Sequence, residues 1–253
     1  MGVDRTGNLW AWNQPEKVLR VVSPDGRILN HLTLEGVARL DFDPDLGIAA
    51  LLPSHRQVVV IDLRGTVVHR LDLEDEAGDL CWVGTERIAV SPSRTPRRVE
   101  IWNPEEKGRV ASFGEEQELE NRAGVTRLRH VLLRYDFAHD RLWTLDTYLG
   151  SFRVFSVAGS ELFSTTVETN GRQELEEWLH KNDTEARRIG EARSVRFAAW
   201  PSMALARNGA AWIIESCRDE NEDTILDHTP GDRDVPGRHR GRRRVVSGRR
   251  FGT

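Results

Sequence analysis

The stretch Val3–Gly26, VDRTGNLWAWNQPEKVLRVVSPDG, shows the unit from which this chain of 253 residues is built. Two short apolar runs, Leu9–Trp12 and Val18–Val22, are separated by the polar segment Asn13–Lys17. The turn that follows contains Pro24 and Gly26, which favour a tight reversal because proline presets φ at about −65° and glycine accepts positive φ. Short apolar runs between such turns are typical of antiparallel strands joined as hairpins. A further strand, expected over residues 27–34, completes a unit of four.

The same order of strands and turns recurs along the chain. The second unit covers residues 38–73, the third 79–113 and the fourth 131–167, and the fifth runs from 202 to 215 with a possible third strand at 224–227. Four-stranded antiparallel units that repeat every 40–50 residues or so predict the blades of a β-propeller. A β-sandwich also uses many short strands, but it does not explain the recurrence. We therefore expect an all-β protein, a β-propeller with about five recognisable blades in an incomplete or open ring.

Tryptophan occupies one matching position in three of these units. The pairs Leu9-Trp10, Leu142-Trp143 and Ala211-Trp212 each follow the first turn of their unit. Aromatic side chains supply a large buried area for each residue. We expect these indoles to pack between neighbouring blades; a stacking surface for a nucleic acid or a carbohydrate is the alternative.

Asp4–Trp10, followed by Val18–Gly26, resembles one repeat of the NHL and six-bladed TolB-like β-propellers. The resemblance covers about residues 2–217, with the later copies matching in pattern. It implies the propeller fold and a range of functions that includes scaffolds, sensor modules, lactone hydrolases and lyases. It also implies that an enzyme of this kind would gather carboxylates and amides around a central metal.

Three segments depart from the repeat. Within the insertion 168–196, apolar residues at helical spacing predict a helix near 173–189, which would either cover the channel or an edge of the ring or serve as a lid or docking helix. A second insertion, 115–130, is charged and predicts an ordered loop. Gly231–Thr253 carries eight arginines and two aspartates, whereas the chain as a whole has a net charge of −4. We interpret residues 1–230 as the propeller and 231–253 as a disordered arginine-rich tail.

The composition and the ends of the sequence limit the location and the partners that we expect. No apolar run reaches the ~18–20 residues that span a bilayer, so no membrane span is expected. No signal peptide is visible, so a cytoplasmic location is the default expectation, with the periplasm or secretion open if the N-terminus is truncated. The tail holds one aromatic residue, Phe251, so nucleic-acid binding is not favoured. The sequence leaves the oligomeric state open.

Catalytic motifs are sparse. The chain contains no HExxH, GxSxG or P-loop sequence, and its two cysteines form no CxxC motif. We expect Cys81 in the core and Cys217 in a loop. Three carboxylates of predicted first strands, Asp41, Asp79 and Asp136, are weak candidates for Ca²⁺ ligands. Their alternative role is to cap strand ends and turns, and the ligand order of regucalcin-like lactonases is not reproduced.

A binding surface is easier to place. The loops between the second and third strands of the blades all emerge at one face of a propeller. Their polar, cationic and aromatic residues are the candidates for partner binding: Trp12, Asn13, His55, Arg56, Arg97, Arg98, Tyr148 and Arg218. Aromatic and arginine side chains are common anchors of interfaces. The sequence thus favours a non-enzymatic module that binds a protein or peptide and needs no cofactor; the alternative is a Ca²⁺-assisted hydrolase or lyase at the central channel.

Overall fold

The computed structural model describes residues 2–93, 97–115, 131–147, 150–167, 202–205 and 211–214. The expected helix at 173–189, most of the loop 115–130, the possible strand at 224–227, Cys217 and the tail 231–253 lie outside these residues, as does the boundary at 230. In the part of the chain that is described, no helix has the length and apolar character needed to cross a membrane.

Each of four consecutive units folds as a four-stranded antiparallel sheet with its strands in sequence order. Blade 1 consists of β1 (Gly2–Val3), β2 (Leu9–Asn13), β3 (Val18–Val22) and β4 (Ile28–Thr33). Blade 2 consists of β5 (Arg39–Asp43), β6 (Gly47–Leu52), β7 (Gln57–Ile61) and β8 (Val67–Asp72), with a 3₁₀ turn at Pro53–His55. Blade 3 consists of β9 (Ala77–Val83), β10 (Arg87–Pro92), β11 (Arg97–Asn103) and β12 (Gly108–Glu115). Blade 4 consists of β13 (Val131–Asp136), β14 (Arg141–Asp146), β15 (Ser151–Ser156) and β16 (Glu161–Thr166). A fifth sheet pairs β17 (Ser202–Leu205) with β18 (Ala211–Ile214).

The turn between the third and fourth strands follows one chemical rule in blades 1, 2 and 4. The residue that begins the turn accepts a hydrogen bond through its side chain from the N–H four residues later: Ser23 from Arg27, Asp62 from Thr66 and Ser156 from Ser160. Each turn then passes through a glycine with positive φ, as at Gly26, Gly65 and Gly159. Such a side chain replaces a backbone acceptor and glycine adopts positive φ without strain, so the local sequence alone specifies the reversal.

A β-bulge recurs where the third and fourth strands pair. In all four complete blades the register shifts by one residue just after the turn between the third and fourth strands. One extra residue is thereby left on the fourth strand, the outermost strand of the blade. The extra residues are Leu29, Val68, Val110 and Leu162. All four are apolar, and their exposed fractions are 56%, 45%, 44% and 51%. A bulge increases the local twist of a sheet, so every blade carries the same distortion on its outer strand.

The core lies between blades. Side chains of a strand alternate between the two faces of its sheet. Blades 2, 3 and 4 each have a neighbour on both faces and therefore contribute side chains to two hydrophobic clusters. Trp10 and Leu19 of blade 1 pack with Ile48 and Val59 of blade 2, and the other face of blade 2 packs on blade 3 in the same way. Two further clusters join blade 3 to blade 4 and blade 4 to the fifth sheet. The first strand of blade 2 contacts that of blade 3, and the first strand of blade 3 contacts that of blade 4, which in turn contacts β17 of the fifth sheet. These strands are therefore the innermost ones.

These contacts confirm the β-propeller and rule out the sandwich, since blades 2, 3 and 4 each have a sheet packed on both faces. They also confirm two expectations about individual side chains. Trp10 and Trp143 pack between neighbouring blades, and Cys81 is buried. The side chain of Trp212 lies outside the described set.

Candidate functional site

Two of the three candidate metal ligands bond to the neighbouring blade. Asp41, on the first strand of blade 2, accepts a hydrogen bond through Oδ2 from the backbone N–H of Trp82 on the first strand of blade 3, at 2.8 Å. Asp79, on the first strand of blade 3, accepts one through Oδ2 from the N–H of Leu133 on the first strand of blade 4, at 2.9 Å. In both cases a carboxylate of one inner strand satisfies an N–H of the next inner strand. We call this arrangement the inter-blade latch.

Two arginines extend the latch around the inner strands. Arg134 Nη1 lies 3.2 Å from Asp79 Oδ2, and Arg134 Nε donates to the carbonyl oxygen of Met203 on the fifth sheet at 2.9 Å. Arg39 Nε of blade 2 lies 3.8 Å from Asp79 Oδ1, and the Asp79 side chain is only 3% exposed. One buried carboxylate therefore meets guanidinium groups from the blades on both sides. Sequence reasoning missed these partners because they come from residues 40 to 55 positions away.

Burial raises the pKa of Asp41 above its ordinary value. The hydrogen bond from the Trp82 N–H and the nearby Arg134 act in the opposite direction, but they do not cancel the effect of burial. A buried carboxyl with a raised pKa takes up a proton more readily than an exposed one.

Asp136 caps a turn and takes no part in the latch. It ends β13, where Oδ1 accepts the N–H of Ala138 at 3.0 Å and Oδ2 lies 2.7 Å from Nδ1 of His139. Asp43, at the end of the first strand of blade 2, holds its turn in the same way by accepting the N–H groups of Asp45 and Leu46. Asp136 is thus a turn residue, the alternative role expected for it.

This donor set does not fit Ca²⁺. A calcium site needs 6–8 or so oxygen ligands, whereas Asp41 and Asp79 bond to N–H groups and have Arg134 close by, and Asp136 belongs to a separate turn. Within the described residues, no group of three or more potential ligands could hold a metal ion.

The loops between second and third strands lie beside the connections that lead from one blade to the next. The N–H of Leu34 donates to the carbonyl oxygen of Lys17 at 2.9 Å, and that of Leu73 donates to the carbonyl oxygen of Arg56 at 2.7 Å. The N–H of Val167 makes the equivalent bond in blade 4, to Gly150 at 2.8 Å. We use the name loop face for the part of this end that blades 1 and 2 form, residues 12–17, 34–39, 53–57 and 73–76.

His55 and Arg56 are exposed at the loop face, at the end of the 3₁₀ turn of blade 2. Arg56 adopts the left-handed region, with φ 50° and ψ 47°, and its N–H donates to the carbonyl oxygen of Pro53 at 2.9 Å. The His55 ring lies next to the backbone of Gly36, where a Cβ would come within 3.5 Å of it. Among the described residues, no carboxylate forms an ion pair with Arg56. The backbone therefore fixes the point from which this guanidinium projects.

Trp12 and Asn13 are the last two residues of β2 and lead into the first loop of this face. Trp12 is half-buried and packs against the core cluster between blades 1 and 2. Asn13 Oδ1 accepts the N–H of Glu16 at 3.3 Å and so holds the turn that follows β2. Both residues thus have structural contacts as well as partial exposure.

Arg98 was predicted to be an exposed binding residue, and this prediction is wrong. The sequence placed it in an exposed loop, but β11 already begins at Arg97, and the Arg98 side chain is only 1% exposed. Its Nη2 donates to the carbonyl oxygen of Ser151 at 2.7 Å and its Nη1 to Ser151 Oγ at 3.3 Å, so it joins blade 3 to blade 4. Arg97 is half-buried opposite Glu115. Tyr148 and Arg218 lie outside the described residues.

Asp4 organises the hydrogen bonds of the first turn of blade 1, a role that the sequence analysis did not assign to it. It is buried, and its carboxylate accepts hydrogen bonds from two N–H groups and three side chains, including Trp10 Nε1 at 3.1 Å. Burial alone would raise its pKa, but the bonds from Thr6, Trp10 and Asn8 outweigh that effect and hold the pKa below its ordinary value. An aspartate that directly follows a strand and precedes the turn residues Arg5-Thr6-Gly7-Asn8 is the sequence signal that could have identified it.

Comparisons with known proteins agree on the fold. No protein-family model matches the chain, and no curated protein does. A solved structure of a streptogramin B lyase superposes with a TM-score of 0.58 at 13% identity, covering 85% of this chain and 60% of its own. Virginiamycin B lyase from Staphylococcus aureus gives 0.55 at 13% identity, covering 85% and 62%. The β-propeller domain of Cps50 (Swd1) from Myceliophteria thermophila gives 0.53 at 9% identity, covering 85% and 64%.

The chain spans about three fifths of the length of these structures. At such low identity the likeness concerns the path of the backbone alone. What the comparisons and the packing of the blades establish together is that this chain has the β-propeller fold.

Proposed function

We propose that this protein is a non-enzymatic binding module that engages a protein or peptide through the loop face. The observation that carries the proposal is the 3₁₀ turn of blade 2. It presents His55 and Arg56 to solvent from a hydrogen-bonded backbone, and Arg56 has no described carboxylate partner. An exposed guanidinium on a rigid support is well suited to a carboxylate of a partner, because both of its N–H pairs can bond at once.

The carboxylates of the inner strands favour this choice over catalysis. Asp41 and Asp79 bond to N–H groups of the next blade, and Asp79 also faces Arg134. The alternative function, a Ca²⁺-assisted hydrolase or lyase at the channel, would require these groups to leave their partners. We therefore rank it second.

The test is the selection of peptide ligands from a displayed random-peptide library by the full chain. Selected peptides are then measured against the double variant His55→Ala/Arg56→Ala. The matched control is Arg64→Ala, which removes an exposed arginine from a turn at the opposite end of blade 2. We expect acidic peptides that bind the wild type and the control equally and lose at least tenfold in affinity with the double variant.

Equal binding by all three proteins would refute the role of the loop face. Equilibrium dialysis with Ca²⁺ tests the second function. Saturable uptake that is lost in Asp41→Ala would revive the enzyme hypothesis and count against our ranking.

The subfamily is also a proposal. The segment Asp4–Trp10 supports an NHL-like or TolB-like origin, because Asp4, Thr6 and Asn8 act together in the turn that this motif encodes.

A further inference from the structure

One face of blade 1 carries a row of apolar side chains that lies outside the described core. Val3 pairs with Leu9, Leu9 with Val22, and Val22 with Ile28, so these four residues lie side by side across all four strands. We call them the open row. None of them belongs to a hydrophobic cluster of the described residues, and Val3 and Ile28 are 56% and 62% exposed. Apolar surface of this kind is unfavourable in water and favours a partner that covers it.

The equivalent rows of the other blades pack against the preceding blade. In every blade the row starts at the residue pair next to the one that closes the first hairpin. In blade 2 the row consists of Phe42, Ile48, Ile61 and Val67, and all four pack in the cluster shared with blade 1. The rows of blades 3 and 4 pack on blades 2 and 3 in the same way, through Trp82, Ile88 and Trp102 and through Tyr135, Leu142 and Phe155. The open row is therefore the part of blade 1 that corresponds to a contact between neighbouring units.

The fifth sheet has the opposite kind of surface. Met203 and Ala211 face blade 4 and are 1% and 5% exposed. Ala204, the next residue of β17, is exposed and pairs with Trp212, whose register position corresponds to that of Trp143 in blade 4. Trp143 packs toward the unit that follows its own blade. We call the side of the fifth sheet that carries Ala204 the far face; among the described residues, no following unit packs on it.

We propose that the open row of one molecule binds the far face of a second copy of this chain. The contact continues between copies the packing that joins successive units within the chain, where a row of the later unit always meets the unit before it. The row stays exposed in the folded chain, so the fifth sheet of the same molecule does not cover it. An ion pair between Arg20 and Glu16 on the neighbouring part of blade 1 gives this surface the charged border that is common around an apolar interface centre. Two different faces that fit each other produce a head-to-tail contact, which either closes into a ring or continues as an open chain.

The test measures the mass of the full chain by analytical ultracentrifugation over a wide range of concentrations. We expect the mass of the wild type to rise above that of the monomer as the concentration increases. Leu9→Lys/Ile28→Lys places charges in the open row, and Ala204→Arg places one on the far face; each should weaken self-association at least tenfold. The matched control is Val68→Lys, which changes an exposed apolar residue on the outer strand of blade 2 and should associate like the wild type.

Mixing the two variants tests the head-to-tail arrangement. The open-row variant keeps an intact far face and the far-face variant keeps an intact open row, so an equimolar mixture should form a 1:1 dimer and nothing larger. If the open row instead paired with the open row of another copy, Ala204→Arg would still associate on its own, and the proposal would be overturned.

Three other results would also overturn it. They are a wild type that remains monomeric at every concentration, a folded open-row variant that associates like the wild type, and a mixture that gives no dimer. Circular dichroism establishes that each variant is folded. If Leu9→Lys/Ile28→Lys does not fold, Ile28→Lys alone replaces it, because this position is the most exposed of the row.

Discussion

The Asp4 carboxylate offers a sharp test of how the first blade is held together. Asp4→Ala removes an acceptor of five hydrogen bonds: from the N–H and Oγ1 of Thr6, the N–H and Nδ2 of Asn8, and Nε1 of Trp10. Thr6 is exposed and Asn8 half-buried, so water replaces most of what they lose. Trp10 is 1% exposed and cannot reach water. Leaving its indole N–H unpaired costs about 1–3 kcal/mol, and with the weakened turn we expect a total loss of about 2–4 kcal/mol in the free energy of unfolding.

The assay is urea unfolding at pH 7 in a double-mutant cycle with Trp10→Phe, which deletes the indole N–H and keeps an aromatic ring. If the bond between Asp4 and Trp10 acts as described, the two substitutions should be coupled by about 1–2 kcal/mol. A loss below about 0.5 kcal/mol for Asp4→Ala, or the absence of coupling, would refute the reasoning.

The same variant predicts a pH dependence with a definite sign. The pKa of Asp4 is lower in the folded protein than its ordinary value of 3.8. Its contribution to stability is therefore complete above that value and is lost as the pH falls below it, toward the folded-state pKa. The stability difference between the wild type and Asp4→Ala should be constant from pH 7 to about 5 and shrink below about pH 4. A constant difference down to pH 2 or so would contradict this account.

Three further predictions concern contacts between and within blades, and each is checked by urea unfolding. Asp79→Ala leaves the buried N–H of Leu133 without its acceptor and should cost about 1–3 kcal/mol; a loss below about 0.5 kcal/mol would mean that the latch is not structural. Arg98→Met keeps much of the apolar stem but loses the bonds to Ser151, for an expected cost of about 1.5–3 kcal/mol, and stability equal to the wild type would contradict the assignment. Gly47→Ala should cost more than about 2 kcal/mol, because a Cβ would overlap the carbonyl oxygen of Ile61 and φ is +98°; a neutral effect would show that this turn can shift.

The fold was predictable because its signals are local. The turns at Ser23–Gly26 and around Gly65 carry their own chemistry, and alternation in strands such as β3 marks the buried face without reference to any other part of the chain. The runs Leu9–Trp12 and Val18–Val22 and the strand expected over 27–34 therefore match β2, β3 and β4 to within one or two residues. Strand β7 ends at Ile61 because the Asp62 side chain already belongs to the turn.

The site was less predictable because its contacts join distant residues. Nothing near Asp79 in the sequence indicates that Arg39 and Arg134 meet it from two other blades. Arg98 was misplaced for a related reason, since a charged side chain close to a proline and another arginine suggests a loop unless its partner on blade 4, Ser151, is known.

The recurring bulge has a consequence for how partners can approach. An outermost strand offers unpaired N–H and C=O groups along its free edge, and a regular edge of this kind invites a foreign strand to add to the sheet. The extra residue in each outer strand, Leu29, Val68, Val110 or Leu162, interrupts that row of groups near the turn. Each described blade is therefore a poor template for strand addition despite its exposed apolar side chains. The same irregularity discourages growth into fibrils from the outer edges of the blades.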